Sequence, residues 1–175
     1  MAWVEKEYAG ELAVVFAWLA LFLPWNITYV GGIFGGSVLY VRFPFVQLQY
    51  WWGTGSPMLD GASFAHVGTA LTAQSGQAVY PGYVLWSLSA VVIATAGIFA
   101  TVYYLREAQL QTSPVNPVTL IGVLLLIATI GLTFATIYMQ YRGLGGIPLP
   151  IGLILLAVFS AILLRTQVSA SATHH

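Results

Sequence analysis

Cysteine is absent from this chain. No disulfide framework, thiolate metal site or cysteine-linked lipid is therefore available to it. Charge is almost as scarce: five Lys and Arg against five Asp and Glu in 175 residues, a net charge of +0. Charged residues make up 6% of the chain, where soluble domains carry about 25%. Such a chain cannot dress a surface for water, and it offers no electrostatic case for nucleic acid. Histidine is confined to His66 and the pair His174 and His175. One histidine cannot hold a catalytic zinc, which takes three protein ligands, or a bis-histidine haem. No metal or cofactor is expected. With no paired acid and base in the apolar runs, neither is an enzyme.

What fills the chain is apolar, 59% of it. Four runs approach the roughly 20 residues that cross a bilayer: 12–30, 83–105, 118–139 and 147–164. None contains Lys, Arg, Asp, Glu or His. The first is no signal peptide, because Glu5, Glu7 and Glu11 stand where a signal carries positive charge. The expectation is an all-α membrane protein: a four-helix transmembrane bundle, a single domain over 1–167, with a disordered tail over 168–175. Residues 31–82 would form a small extracellular β-rich cap with one short helix. Lys6, Arg106 and Arg165 flank one side and Arg42 and Arg142 the other, which puts both termini in the cytoplasm by the positive-inside rule. Pro114 and Pro117 break one link, and Gly143, Gly145 and Gly146 suit a tight turn in the next.

The long connection holds most of the information. Val38–Tyr50 is rich in β-branched and aromatic residues, which favours strand. Pro44 removes a ladder donor, so this stretch reads as an edge strand or as two strands bent at that point. Ser56 and Pro57 suit a helix start, and a helix over Pro57–Ala73 follows. On it Asp60, Ser63 and His66 would share a face, but three residues on one short helix do not set a base between nucleophile and acid. Phe43, Phe45, Tyr50, Trp51 and Trp52 are the expected partner-contact residues, since exposed aromatic patches mark contact sites. The bland alternative is a cap that dips these rings into the membrane interface. Small residues recur four apart at Ala90 and Ala94, Ala96 and Ala100, Gly97 and Thr101, Gly131 and Ala135, and Ala157 and Ala161, the mark of helix-packing seams.

The blocks WVEKEYAGELAVVFAWLALFLPW and LYVRFPFVQLQY resemble a family of uncharacterised small membrane proteins from halophilic archaea. That resemblance implies a four-span membrane protein and no chemistry. The order of first span, Pro24-Trp25, β-rich loop, short helix and three closely linked spans is similar to the claudin and peripheral-myelin-protein layout. It implies lateral, adhesive assembly. Tyr50, Trp51, Trp52 and Gly53 offer the aromatics of the claudin loop without its two cysteines. The function expected is a non-enzymatic structural or interaction protein, with the lipid bilayer and a second copy or a larger membrane complex as partners. The alternative is a carrier of an apolar small molecule (lipid, quinone or carotenoid) in a groove beside Trp18 and Trp86.

Overall fold

The computed structural model describes residues 8–106, 116–143 and 145–171, with side chains through residue 166 in the final helix. Lys6, Glu5 and Glu7, Pro114 in the link after Arg106, and residues 172–175 of the expected tail lie outside the described residues. The chain is a mixed α/β structure. Among the described residues, helices α1 (Ala9–Phe22), α2 (Val67–Ala73), α3 (Tyr80–Leu105), α4 (Pro117–Arg142) and α5 (Ile151–Ser171) combine with five strands. The strands are β1 (Asn26–Ile33), β2 (Gly36–Arg42), β3 (Val46–Trp52), β4 (Gly61–His66) and β5 (Ile147–Leu149). They form one antiparallel sheet in the order β4-β3-β2-β1-β5.

This corrects the expected all-α four-helix transmembrane bundle. Among the described residues, two helices are long and apolar enough to cross a membrane, α3 and α4. Each has 26 residues, roughly 39 Å at 1.5 Å per residue. The runs 12–30 and 147–164 both lose their ends to the sheet. Leu23 precedes a proline and is held extended, so α1 stops at Phe22 after 14 residues. The chain then leaves as β1. At the other run, Ile147 and Leu149 each precede a proline and take the same extended bias, and the helix starts only at Ile151. The two lost ends pair with each other: Ile27 opposes Leu149 and Tyr29 opposes Ile147. An apolar, β-branched end of a run is read equally well as helix or strand from hydropathy alone.

Residues 38–50 form two strands around Pro44, not one edge strand. The helix expected over Pro57–Ala73 is overturned. A turn over Ser56–Asp60 leads into strand β4, and only Val67–Ala73 is helical, capped by the His66 ring, which accepts from the Thr69 amide at 3.2 Å. The final helix runs on past Val168, where the tail was expected to begin, to Ser171.

The helices pack through their small residues. Ala13, Ala17 and Ala20 of α1, Ala96 and Ala100 of α3, and Ala128 and Ala135 of α4 are fully buried. Large apolar side chains such as Phe22, Val91, Ile98, Ile130, Phe134 and Ile154 point outward. Of the expected seams, those of α3 and α4 face inward, whereas Ala157 and Ala161 face out. Phe16 of α1 stacks on Phe159 of α5 at 4.2 Å. Where α5 begins, Gly152 lies against the chain leaving α1: a methyl group there would meet the Pro24 carbonyl oxygen and stand 2.6 Å from Trp25 Cα. Backbone cannot swing aside as a side chain can. Gly152→Ala is expected to cost about 1–3 kcal/mol, the range of an overpacked core, read as a lowered melting temperature in detergent. Ala157→Val on the outward face serves as the neutral control.

Candidate functional site

The sheet presents two unlike faces, fixed by the alternation of strand side chains. On the outer face, cross-strand pairing builds two apolar rows. Leu149, Ile27, Val41, Leu48 and Phe64 form one. Ile147, Tyr29, Leu39, Tyr50 and Ala62 form the other. Trp52 extends the surface beyond them, its ring 5.5 Å from Tyr50 and 6.0 Å from Tyr29. Tyr29, Leu48, Tyr50, Trp52, Phe64, Ile147 and Leu149 are all exposed. At the hairpin tip, Phe34 and Gly35 both have positive φ, 49° and 81°. That conformation suits Asn-Gly, yet a phenylalanine occupies it with 73% of its surface exposed.

The inner face is buried, and beside an apolar cluster of Val30, Val38 and Tyr40 it carries polar groups where an ordinary half-exposed sheet buries apolar ones. Asn26, Thr28, Arg42 and Gln47 are each at least nine-tenths buried. They form a connected network. Arg42 Nε donates to Gln47 Oε1 at 2.9 Å, and Nη1 donates to Thr28 Oγ1 at 3.0 Å. Thr28 donates on to Asn26 at 2.7 Å, and Asn26 Nδ2 donates to Thr136 Oγ1 of α4 at 3.3 Å. The Tyr83 hydroxyl of α3 also donates to Gln47, at 3.4 Å. The Arg42 guanidinium lies 4.8 Å from the Tyr40 ring centre, a cation–π contact. Burial pushes the Tyr40 phenol above the ordinary tyrosine range; Tyr83 adds to the rise and Arg42 opposes it. Between this face and the ends of α3 and α4 lies a cavity of about 100 Å³, bounded by Asn26, Tyr40, Arg42, Gln74, Tyr83 and Gln140 among others.

The expected contact residues divide between these environments. Tyr50 and Trp52 stand on the outer face. Trp51 points the other way and packs against the small cluster of Val30, Val38 and Tyr40. Phe43 and Phe45 flank buried Pro44 in the β2–β3 turn, half-buried. The backbone of that turn is pinned: Trp25 Nε1 donates to the Phe43 carbonyl at 3.1 Å, and Trp86 Nε1 donates to the Phe43 and Pro44 carbonyls at 3.1 and 2.9 Å. Trp86 is wholly buried. Trp18 is exposed and stacks on Phe22. Sequence reasoning missed Tyr29, Leu48, Phe64, Ile147 and Leu149, whose common face appears only once the register is known. It also treated Arg42 as a loop charge.

Asp60, Ser63 and His66 do not lie on a helix. Asp60 closes the β3–β4 loop: one carboxylate oxygen accepts from the Thr54 amide at 3.0 Å and the Thr54 hydroxyl at 2.8 Å, the other from the Gly53 amide at 3.2 Å. The Thr54 amide and then its hydroxyl, with help from Gly53, hold the Asp60 carboxyl below its ordinary range. The unfolded carboxyl titrates near ~3.9. The loop's stabilisation is therefore complete above that value and is lost as pH falls through the lower, folded value. In NMR spectra of labelled protein in micelles, the Thr54 amide resonance is expected to titrate with a midpoint under ~3.9. It should not titrate in Asp60→Asn. A midpoint at or above the free value contradicts the clamp.

Comparison with curated proteins finds no match. A family model, described as a family of unknown function, matches residues 2–168. It supplies no activity, habitat or membrane layout, and neither the archaeal nor the claudin resemblance draws support from it. With nearly the whole chain matched, the protein belongs to the family of unknown function DUF7549.

Proposed function

We propose that this is a non-enzymatic, multi-pass membrane protein that associates with a second copy of itself through the outer face of its sheet. The observation that carries the reading is the pair of apolar rows crossing all five strands on the side turned away from the helices. Contiguous apolar surface of this kind marks an interaction site. Its residues carry no Lys, Arg, Asp or Glu, so a two-fold pairing meets no like-charge repulsion and can be self-complementary. Phe34 adds support. A bulky residue in the left-handed region costs about 1–3 kcal/mol, and the chain keeps an exposed aromatic there.

Membrane residence is supported by α3 and α4 and by the size pattern of the helix surfaces. Small residues inside with large apolar ones outside is how helices pack when the surroundings are themselves apolar. The sheet has open edges, whose unpaired backbone groups exclude it from the hydrocarbon core. It therefore lies at or beyond the interface. Arg106 and Arg165 stand at the opposite end of the helices, the end assigned to the cytoplasm together with both termini.

Photoreactive residues at Tyr29, Tyr50 and Trp52 in native membranes are expected to give covalent homodimers, and one at Trp51 on the inner face none. Adducts to lipid alone would overturn the association. Because the chain has no cysteine, single substitutions report sidedness cleanly. A membrane-impermeant maleimide is expected to label Met58→Cys, in the β3–β4 loop, on intact cells, and Arg106→Cys only after permeabilisation. The reverse pattern would overturn the orientation.

A further inference from the structure

We infer that the cavity beneath the sheet is a binding site for an oxyanion, a carboxylate or phosphate group, held by Arg42 and Tyr40. This stands independently of the association proposed above. Arg42 is 7% exposed and always charged. Its burial is costly unless a negative partner compensates. The protein does not supply one among the described residues. The acidic residues described are Glu11 and Asp60, and both Asp60 oxygens are engaged in the β3–β4 loop. Glu11 lies beside Gly10, which abuts Tyr103, whereas the cavity lies at Tyr83, roughly 30 Å away along α3 at 1.5 Å per residue.

The donors left over point to what belongs there. Of the five guanidinium N–H groups, Nε and one on Nη1 are met by Gln47 and Thr28. Among the described residues, Nη2 makes no hydrogen bond, and neither does the hydroxyl of Tyr40, a residue 8% exposed. Among the described residues no fully enclosed side-chain nitrogen or oxygen lacks a partner, so both groups are open to solvent, and their residues bound the cavity. Gln74, also on its wall, can supply a third donor. An unpaired cation, a phenol and an amide bounding one space, with no carboxylate beside them among the described residues, select an anion. A planar guanidinium edge favours oxyanions, which accept two of its N–H groups at once. The cavity of about 100 Å³ has room for such a group, since one water needs roughly 10–15 Å³ on the same scale. Gln47 and Thr28 hold Nε and Nη1 in place, so Nη2 is oriented before the anion arrives.

The test uses the full-length protein in an uncharged maltoside detergent at constant ionic strength, with chloride as the reference salt. Melting temperature and isothermal titration are followed with inorganic phosphate, with acetate and with short-chain phosphatidylglycerol. Saturable stabilisation by at least one probe is expected. Phosphate or acetate acting alone identifies a soluble ligand, and phosphatidylglycerol acting alone identifies a lipid headgroup. Arg42→Gln should abolish the effect. Should that variant fail to fold, Tyr40→Phe and Gln74→Leu, which leave the Arg42 network intact, should each weaken binding about three- to tenfold, as the loss of one hydrogen bond does. No saturable response to any probe, or equal binding by wild type and the variants that fold, would overturn the site.

Discussion

The structure turns on two indole nitrogens. The β2–β3 turn carries carbonyls at Phe43 and Pro44 into the protein interior, where an unpaired backbone acceptor is costly. Trp25 and Trp86 meet them. Trp25 sits just after α1 and its own amide bonds the Arg42 carbonyl at 2.9 Å. Trp86 belongs to α3, and its ring lies 6.0 Å from Trp25 and 5.8 Å from Tyr83. One contact thus joins the exit of α1, the middle of the sheet and the first turns of α3. With the turn held there, the end of β2 meets the start of α3, and Arg42 and Tyr40 line the cavity shared with the helix ends.

That orientation is not the one hydrophobicity alone would choose. Strand residues alternate, so rotating the sheet by half a turn, or slipping a strand by one residue, would bury the rows of Ile27, Val41 and Leu48 and expose Asn26, Arg42 and Gln47. Burying the apolar rows would gain about 25 cal/mol for each Å² removed from water. The observed arrangement forgoes this and accepts the desolvation of a guanidinium. What offsets the loss is direction. Asn26, Thr28, Arg42 and Gln47 each have a specific partner, and a connected network in a low-dielectric interior is worth more than its separate bonds. Apolar surroundings outside the sheet would also remove much of the penalty for exposing the rows.

The two central helices were legible in the sequence. Runs 83–105 and 118–139 became Tyr80–Leu105 and Pro117–Arg142, because charge-free length with Pro81 and Pro117 near the starts admits few alternatives. The flanking runs were not, and the reason is local. Pro24 and Pro150 divide them, and beyond each proline the segment is too short and too β-branched to be told apart as helix or strand. The signal that could have divided them, Ile-Thr-Tyr-Val after Pro24-Trp25-Asn26, lies inside a run whose hydropathy overrules it. The strand β4 was hidden for a different reason: Gly-Ala-Ser-Phe-Ala-His has little strand propensity of its own and is paired into place by β3. The aromatic set was found by composition, which cannot separate Trp51 from Trp52. Only register does that.

Arg42 shows where sequence reasoning fails in kind rather than degree. A single basic residue in a loop between apolar runs is ordinarily a charge at the headgroup boundary, and counting it so for topology is sound. Its meaning changes because Gln47 is placed five residues away across a hairpin and Thr28 fourteen away on the next strand. Neither spacing is a motif. The first follows from the turn at Pro44, which the tryptophans hold, and the second from the β1–β2 pairing. The inner and outer faces therefore share one origin. Pinning that turn commits β1, β2 and β3 to a single alternation, so the same register that gathers donors around the cavity sends Tyr29, Leu39, Tyr50 and Trp52 outward. A polar inner cavity and an apolar outer surface are two consequences of one strand alignment.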